Sequence, residues 1–171
     1  MKCLLIPIVF TATLNSWATC NPALPQTTAD IQWVLKNNQS IVRDNKTGLQ
    51  WQRCSLGQTW RNNTCEPTAG QDVFNWQQAL EEAKNNRLGG FSNWRLPNKK
   101  ELASLLELSC TEPAINLRIF PNTVVGRYWT STPVIYADSF TAWFVDFSGG
   151  EYGNISATNT LLNVRLVRDG D

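Results

Sequence analysis

The sequence contains no histidine. Histidine is the commonest general base and the commonest metal ligand, so its absence excludes a Ser-His-Asp triad and any histidine-based zinc motif. The chain also lacks an excess of charge of one sign, because 15 Lys and Arg residues offset 14 Asp and Glu residues and leave a net charge of +1. Nucleic acids attract strongly basic surfaces, so we expect no nucleic-acid partner. Phosphate-binding glycine loops and EF-hand spacings are missing as well.

The first 18 residues have the pattern of a secretory signal peptide. Lys2 supplies the positive charge, an apolar stretch follows with the sequence CLLIPIVFTATL, and Ser16 and Ala18 place small residues before the cleavage point. The stretch is too short to span a bilayer comfortably. We therefore expect a chain exported to the periplasm, the cell surface or the medium, with no membrane span after cleavage. Lipidation of Cys20 is the alternative, but Trp17 and Thr19 fit that cleavage pattern poorly.

The cysteine count agrees with export. Loss of Cys3 with the leader leaves four cysteines, Cys20, Cys54, Cys65 and Cys110. An even number in an exported chain indicates two disulfides, and four cysteines allow three pairings. The short polar stretch between Cys54 and Cys65 favours a local pair, which leaves Cys20 for Cys110. A reactive or copper-binding thiol pair is the alternative, but neither Cys-x-x-Cys spacing nor histidine supports it.

Residue periodicity predicts strands, then two helices, then strands again. The first helix begins near Asn75, whose capping-box partner is Gln78, and Gly89 is its expected stop. The second helix runs from Asn98 to Leu108 with Glu101 as the capping partner. Later strands are predicted for YWTST, FTAWFVDF and VRLVR, and a glycine-rich loop for SGGEYGN. This order predicts an α+β fold with a mixed or antiparallel sheet.

Six sequence blocks, taken in order, resemble the Lcl C-terminal domain family: TGLQWQRC, GGFSNWRLPNKKEL, PAINLRIFPNT, YWTST, AWFVDFSGGE and VRLVR. The resemblance covers residues 40–169, so a signal peptide at residues 1–18 and a lead-in at residues 19–39 precede one domain. It implies a C-type-lectin-like fold, distantly related to formylglycine-generating enzymes. Unlike the bacterial collagen-like adhesin that gives the family its name, this chain has no Gly-x-y repeat.

The resemblance implies a binding or adhesion module without catalysis. Its expected partner is a glycan, including a sulphated glycosaminoglycan, or a protein surface. Two alternatives remain. One is an enzyme related to formylglycine-generating enzymes, which would need a free, reactive cysteine pair. The other is a periplasmic structural or accessory subunit.

The candidate ligand-binding residues include three aromatics and two lysines. Trp60, inside the proposed Cys54–Cys65 loop, is expected to be exposed and able to stack on a sugar ring or a partner surface. Tyr136 and Tyr152 are expected in loops beside the AWFVDF strand, where lectin-like folds carry ligands. Lys99 and Lys100 lie in the first turn of the second helix, where cations are mildly unfavourable. An anion site is one interpretation of these lysines, and a solvated helix start is the simpler one.

Oxygen-bearing side chains in the late loops complete the candidate set. Asp138, Asp146, Glu151 and Asn154 have the ligand chemistry that Ca²⁺ prefers, but their spacing matches no calcium motif, so we predict no cofactor. Arg95 and Arg165 are predicted to be held by carboxylate or backbone partners rather than by a ligand. Core packing is the default prediction for most of six tryptophans: Trp33, Trp51, Trp76, Trp94, Trp129 and Trp143.

Overall fold

A computed structural model describes residues 18–136 and 139–170. The strands are β1 Thr19–Cys20, β2 Trp33–Lys36, β3 Ile41–Asp44, β4 Gln50–Gln52, β5 Gln58–Arg61, β6 Thr64–Pro67, β7 Cys110–Thr111, β8 Arg127–Tyr136, β9 Ser139–Asp146, β10 Glu151–Ser156 and β11 Val167–Arg168. The α-helices are α1 Trp76–Asn85 and α2 Lys99–Ala103, and 3₁₀ turns cover Asp30–Gln32 and Leu88–Gly90. The predicted α+β class with two helices is confirmed.

All strand pairs in the described sheets are antiparallel. A four-stranded sheet has the order β11-β4-β3-β2, and a three-stranded sheet has the order β10-β9-β8. Two further pairs, β1 with β7 and β5 with β6, lie outside these sheets. The segment of residues 19–39 supplies β1 and β2, and β2 is the edge strand of the four-stranded sheet.

Two clusters of buried apolar side chains form the core, and β9 contributes to both. Val145 belongs to the cluster that contains Trp51, whereas Ala142 and Phe144 belong to the cluster that contains Trp129. Alternate residues of a strand face opposite sides of a sheet, so this end of β9 is covered on both faces. The core positions predicted for four tryptophans are confirmed: Trp33, Trp51, Trp94 and Trp129.

The first helix begins where the sequence predicts and ends earlier. Asn75 and Gln78 form the expected capping box, with the Gln78 backbone N–H donating to Asn75 and the Gln78 side chain accepting from the Asn75 N–H. The helix ends at Asn85, so the prediction that Gly89 terminates it is wrong. Gly89 lies in the separate 3₁₀ turn with φ of 69°. The chain leaves the helix early because Asn86 adopts an extended conformation.

The second helix is also capped as predicted, and it too is shorter. Asn98 and Glu101 form a capping box, but α2 ends at Ala103 rather than at Leu108. Beyond it, Leu106 forms an isolated antiparallel bridge with Ile115, and the Glu107 N–H donates to the carbonyl of Ala114. These backbone partners at residues 114–115 replace helical ones, so the apolar leucine spacing continues while the helix does not.

Both predicted disulfides are present. Cys54 is bonded to Cys65 across the β5–β6 hairpin, and Cys20 is bonded to Cys110, which joins β1 to β7. The second bond closes a loop of 90 residues and ties the start of the described chain to the segment after α2. Constraining so long a loop in the unfolded chain stabilises the fold by roughly 4–5 kcal/mol in the chain-entropy view.

Glu107 is a buried carboxylate that sequence analysis did not identify. It is 2% exposed, and it accepts hydrogen bonds from the backbone N–H groups of Thr27 and Thr28 and from the hydroxyl of Ser109. Burial alone would raise its pKa, but these hydrogen bonds and that of the Thr28 hydroxyl outweigh burial and lower the pKa to about 2. The charged carboxylate therefore fixes the lead-in segment against the end of the α2 region.

The substitution Glu107→Gln tests this role. A carboxyl group whose pKa is lowered by folding stabilises the fold above its unfolded pKa, and it loses that contribution as the pH falls toward its folded pKa. We expect the native chain to lose roughly 2–3 kcal/mol of unfolding free energy through this group between about pH 4.5 and 2. Urea unfolding followed by tryptophan fluorescence at several pH values measures the loss.

The Glu107→Gln variant should be less stable at pH 7 and should show a flatter acid dependence. Glu82→Gln is the matched control, because Glu82 is exposed on α1. Identical acid profiles for the native chain and Glu107→Gln would contradict the assignment.

Candidate functional site

Three of the predicted ligand-binding residues meet around Trp143. The Lys99 ammonium lies 3.3 Å from the centroid of the Trp143 ring and 4.3 Å from that of Tyr152. The two ring centroids are 6.3 Å apart, and the ring planes are inclined by 56°. Asn154 is the cross-strand partner of Trp143. Together Lys99, Trp143, Tyr152 and Asn154 are called the aromatic face below.

Strand register explains why the aromatic residues share one side of the sheet. In the β9–β10 pair, Trp143 lies opposite Asn154 and Val145 lies opposite Tyr152. Directly opposed residues in an antiparallel pair project to the same side, as do residues two apart on one strand. Trp143, Tyr152 and Asn154 therefore project from the same face. The predicted loop at SGGEYGN is wrong in this respect, because Tyr152 and Asn154 lie on β10.

Backbone contacts with β8 bring Lys99 over this face. The carbonyl of Pro97 accepts from the N–H of Ser131, and the N–H of Lys99 donates to the hydroxyl of Thr132. Both partners lie where the β8–β9 register shifts between Trp129 and Pro133, which frees their groups from regular pairing. The start of α2 is thus fixed to an irregular part of the sheet.

The two rings account for a cation in the first turn of a helix. Lys99 is half-buried, and it forms no ion pair with any carboxylate in the described part of the chain. An ammonium between two aromatic faces gains about 0.5–2 kcal/mol, which offsets its unfavourable position relative to the helix dipole. The solvated helix start favoured by the sequence therefore does not describe Lys99. The prediction that Trp143 faces the core is wrong as well. Trp143 is half-buried because its ring lies on the aromatic face, against the Lys99 ammonium.

The other late-loop candidates do not join the aromatic face. Lys100 is exposed at the next helical position. Glu151 lies opposite Asp146, so strand alternation places both on the other side of the sheet from Asn154. The structure therefore does not gather Asp146, Glu151 and Asn154 into one ligand set. Tyr136 is the last residue of β8, at the far end of the hairpin, and Asp138 lies outside the described residues.

Asp146 instead forms an ion pair. Its carboxylate accepts from Arg127 Nε at 3.2 Å and from the backbone N–H of Ser148 at 2.9 Å. Partial burial would raise its pKa, but the bonds from Ser148 and Arg127 outweigh burial and lower the pKa. This carboxylate is occupied in fixing the β9–β10 turn.

Trp60 is half-buried on β5, so the prediction of an exposed loop tryptophan is wrong. The Arg53 guanidinium lies 4.2 Å from the centroid of its ring. Arg53 also donates to the carbonyls of Gln39, Arg118 and Ile119. Burial, with the nearby charge of Arg165, lowers the pKa of Arg53 to about 10. Arg53 precedes the disulfide loop in sequence, and no sequence pattern predicts that its guanidinium packs on the Trp60 ring.

The predictions for the two other arginines are confirmed. Arg95 is held by the carboxylates of Glu101 and Asp169, each at 2.8 Å. These bonds raise the pKa of Arg95 despite its partial burial. Arg165 is fully buried and donates to backbone carbonyls and hydroxyl groups. Both guanidinium groups are therefore bonded to groups of the protein itself.

A separate cleft of about 450 Å³ lies between α1 and β9. Trp76, Leu80 and Phe140 form its apolar lining, and the Trp76 indole N–H donates to the carbonyl of Thr130. None of the residues predicted as ligand contacts lines this cleft. Polar side chains of α1, among them Gln77, Glu81 and Lys84, complete its lining.

A family model described as the Lcl C-terminal domain matches residues 40–168. The chain belongs to the Lcl C-terminal domain family. The match spans all four residues of the aromatic face, so this face is part of the Lcl C-terminal domain itself, whereas β1 and β2 precede the matched region. A comparison with curated proteins gives no significant match. In the described ranges, no helix combines the length and the apolar character that crossing a membrane requires.

Lys99→Ala and Lys100→Ala form a matched pair that tests the ring contacts. Each removes one cation from the first turn of α2, so the effect on the helix dipole largely cancels in the comparison. We expect Lys99→Ala to be less stable than Lys100→Ala by about 0.5–2 kcal/mol, because only Lys99 loses contacts with two rings. Denaturant unfolding at pH 7 measures the difference, and equal stabilities would contradict the arrangement.

Proposed function

We propose that this protein is an exported binding module with a C-type-lectin-like fold, and that it recognises a glycan on the aromatic face without catalysis. The observation that carries the proposal is the Lys99 ammonium held between the Trp143 and Tyr152 rings beside Asn154. Family membership and the α+β architecture support the fold. The two disulfides support export, because such bonds persist in oxidising compartments.

The aromatic face combines the groups that bind sugars. Tyr152 is 58% exposed, so its ring offers an apolar surface on which the C–H groups of a sugar can stack. The ammonium of Lys99 carries three N–H donors, and the Asn154 side chain is both donor and acceptor. The hydroxyl of Thr141 lies 3.5 Å from the Asn154 side chain and extends the polar part of the face. A hydroxyl-rich ring can therefore make apolar and polar contacts at once.

The state of the cysteines favours binding over the enzymatic alternative. An enzyme related to formylglycine-generating enzymes would need a free, reactive cysteine pair, whereas all four cysteines of the described chain are in disulfides. Thiol titration of the native exported protein should find no free thiol. A reactive pair would favour the enzyme, and capture of a protein partner without any glycan binding would favour a structural subunit.

The proposal is tested on an array of glycans and glycosaminoglycans, with titration of each hit. We expect Tyr152→Ala and Lys99→Ala to weaken binding by about 5- to 30-fold, since each removes a contact worth roughly 1–2 kcal/mol. Lys100→Ala is the matched control and should bind as the native chain does, because Lys100 lies outside the face. Binding without chelator and with chelator should agree, since the carboxylates of Asp146 and Glu151 project from the other side of the sheet.

Two results would overturn the proposal. One is the absence of binding across the array. The other is equal weakening by Lys99→Ala and Lys100→Ala, which would indicate attraction to charge in general rather than recognition by the aromatic face. Circular dichroism of each variant checks that the fold is retained.

A further inference from the structure

The outer edge of β10 has none of the usual protection of an exposed sheet edge. Within the described ranges β10 pairs only with β9, on one side. Natural edge strands avoid pairing with other chains through lysine, proline, inward charges, bulges or shortness. The strand has six residues, and its only charged residue is Glu151 at the start. From Tyr152 to Ser156 the edge therefore has unpaired backbone groups, and no charged residue or proline of this stretch hinders another strand from pairing with them.

Two other edges of the described sheets are protected. β8 carries Pro133 and a register shift, and its own backbone groups are already bonded outside the sheet: the Ser131 N–H donates to the carbonyl of Pro97, and the Trp129 N–H donates to the carbonyl of Asn163. β2 has four residues, ends with Lys36, and lies between a 3₁₀ turn and residues with positive φ, so it cannot extend. Of these three edges, β10 is the one on which strand addition is least hindered.

Hydrogen-bond alternation shows which groups of β10 point outward. The N–H of Ala157 donates to the carbonyl of Phe140, so this pair faces inward. Bonded and non-bonded pairs alternate along antiparallel strands. Tyr152, Asn154 and Ser156 therefore direct their N–H and C=O groups away from β9. Their side chains project from the aromatic face.

We infer that β10 pairs with β10 of a second copy of this chain, antiparallel about a two-fold axis at Asn154. In this register Asn154 lies opposite its own copy and Tyr152 lies opposite the partner's Ser156. No two charged residues of Tyr152–Ser156 oppose each other, because this stretch contains none. Each outward backbone group of the three residues gains a hydrogen-bond partner, and the two three-stranded sheets become one continuous sheet.

Pairing in this way changes the aromatic face. Both copies of Tyr152 lie on the same side of the joined sheet, so two binding faces point in one direction. A repeating polymer could then contact both, which raises the apparent affinity without any new contact to either face. The interface itself needs no ligand. The dimer can therefore be confirmed or contradicted independently of glycan binding.

Sedimentation equilibrium of the native chain across a range of concentrations tests the inference. We expect a monomer–dimer equilibrium in the native chain. Asn154→Lys should shift it to monomer, because two ammonium groups would meet at the axis. Ser156→Pro should do the same, because proline removes an outward N–H and is tolerated only at an unpaired edge. Gln77→Lys is the control, since it adds the same charge on the exposed side of α1 and should leave the dimer intact.

Amide hydrogen exchange of the native chain gives a second measurement that does not depend on variants. Protection of the N–H groups of Tyr152, Asn154 and Ser156 should rise with protein concentration, whereas that of Gly153 and Ile155 should stay constant. A native chain that is monomeric at the highest attainable concentration overturns the inference. A dimer that survives both edge substitutions, or exchange at Asn154 that does not change with concentration, overturns it as well.

Discussion

The buried guanidinium of Arg165 is the constraint on which the rest of the structure depends. It is 0% exposed and donates to the carbonyls of Gln52 and Arg53 and to the hydroxyls of Ser55 and Thr123. Burial lowers its pKa, which reflects the cost of removing a charge from water. The described hydrogen-bond partners are neutral, and the Phe120 ring, whose centroid lies 4.8 Å from the guanidinium, adds a cation–π contact. Such a site tolerates little movement, because any displaced partner leaves a buried donor unsatisfied.

This constraint reaches the aromatic face through β8 and β9. The hydroxyl of Tyr128 lies 3.0 Å from that of Ser55, and its ring packs within 6.0 Å of the Arg165 guanidinium. Burial raises the pKa of Tyr128, so the phenol stays neutral. Tyr128 lies opposite Val145, which is two residues from Trp143 on the same side of β9. The Trp143 ring, which contacts the Lys99 ammonium, therefore belongs to a strand, β9, whose position is fixed by contacts within the core.

Features that depend on neighbours in sequence could be predicted, whereas most contacts between distant residues could not. The Cys20–Cys110 bond is the exception, because the cysteine count and the local Cys54–Cys65 pair leave these two cysteines for each other. Both capping boxes and the Cys54–Cys65 bond involve residues at most 11 positions apart. The role of the Glu107 carboxylate could not be predicted, because its partner Thr27 is 80 residues away in the chain. The sequence predicts an unfavourable position for Lys99 because it shows the local helix dipole. It does not show that the rings of Trp143 and Tyr152 lie next to the ammonium. Sequence position and family resemblance identified Lys99 and Tyr152 as candidates without showing that they meet at Trp143.

If the aromatic face binds a glycan as proposed, the Lys99 contact lowers the cost of ordering that face. A net charge of +1 gives little long-range attraction, so affinity has to come from short-range contacts and from low ordering cost. A lysine free in solvent would lose rotamer freedom on binding, up to about 2 kcal/mol. Lys99 has already lost it, because two rings hold the ammonium in place. The conformational entropy of the Lys99 side chain is therefore lost on folding. A ligand that accepts a hydrogen bond from this ammonium would lose no further free energy by ordering it.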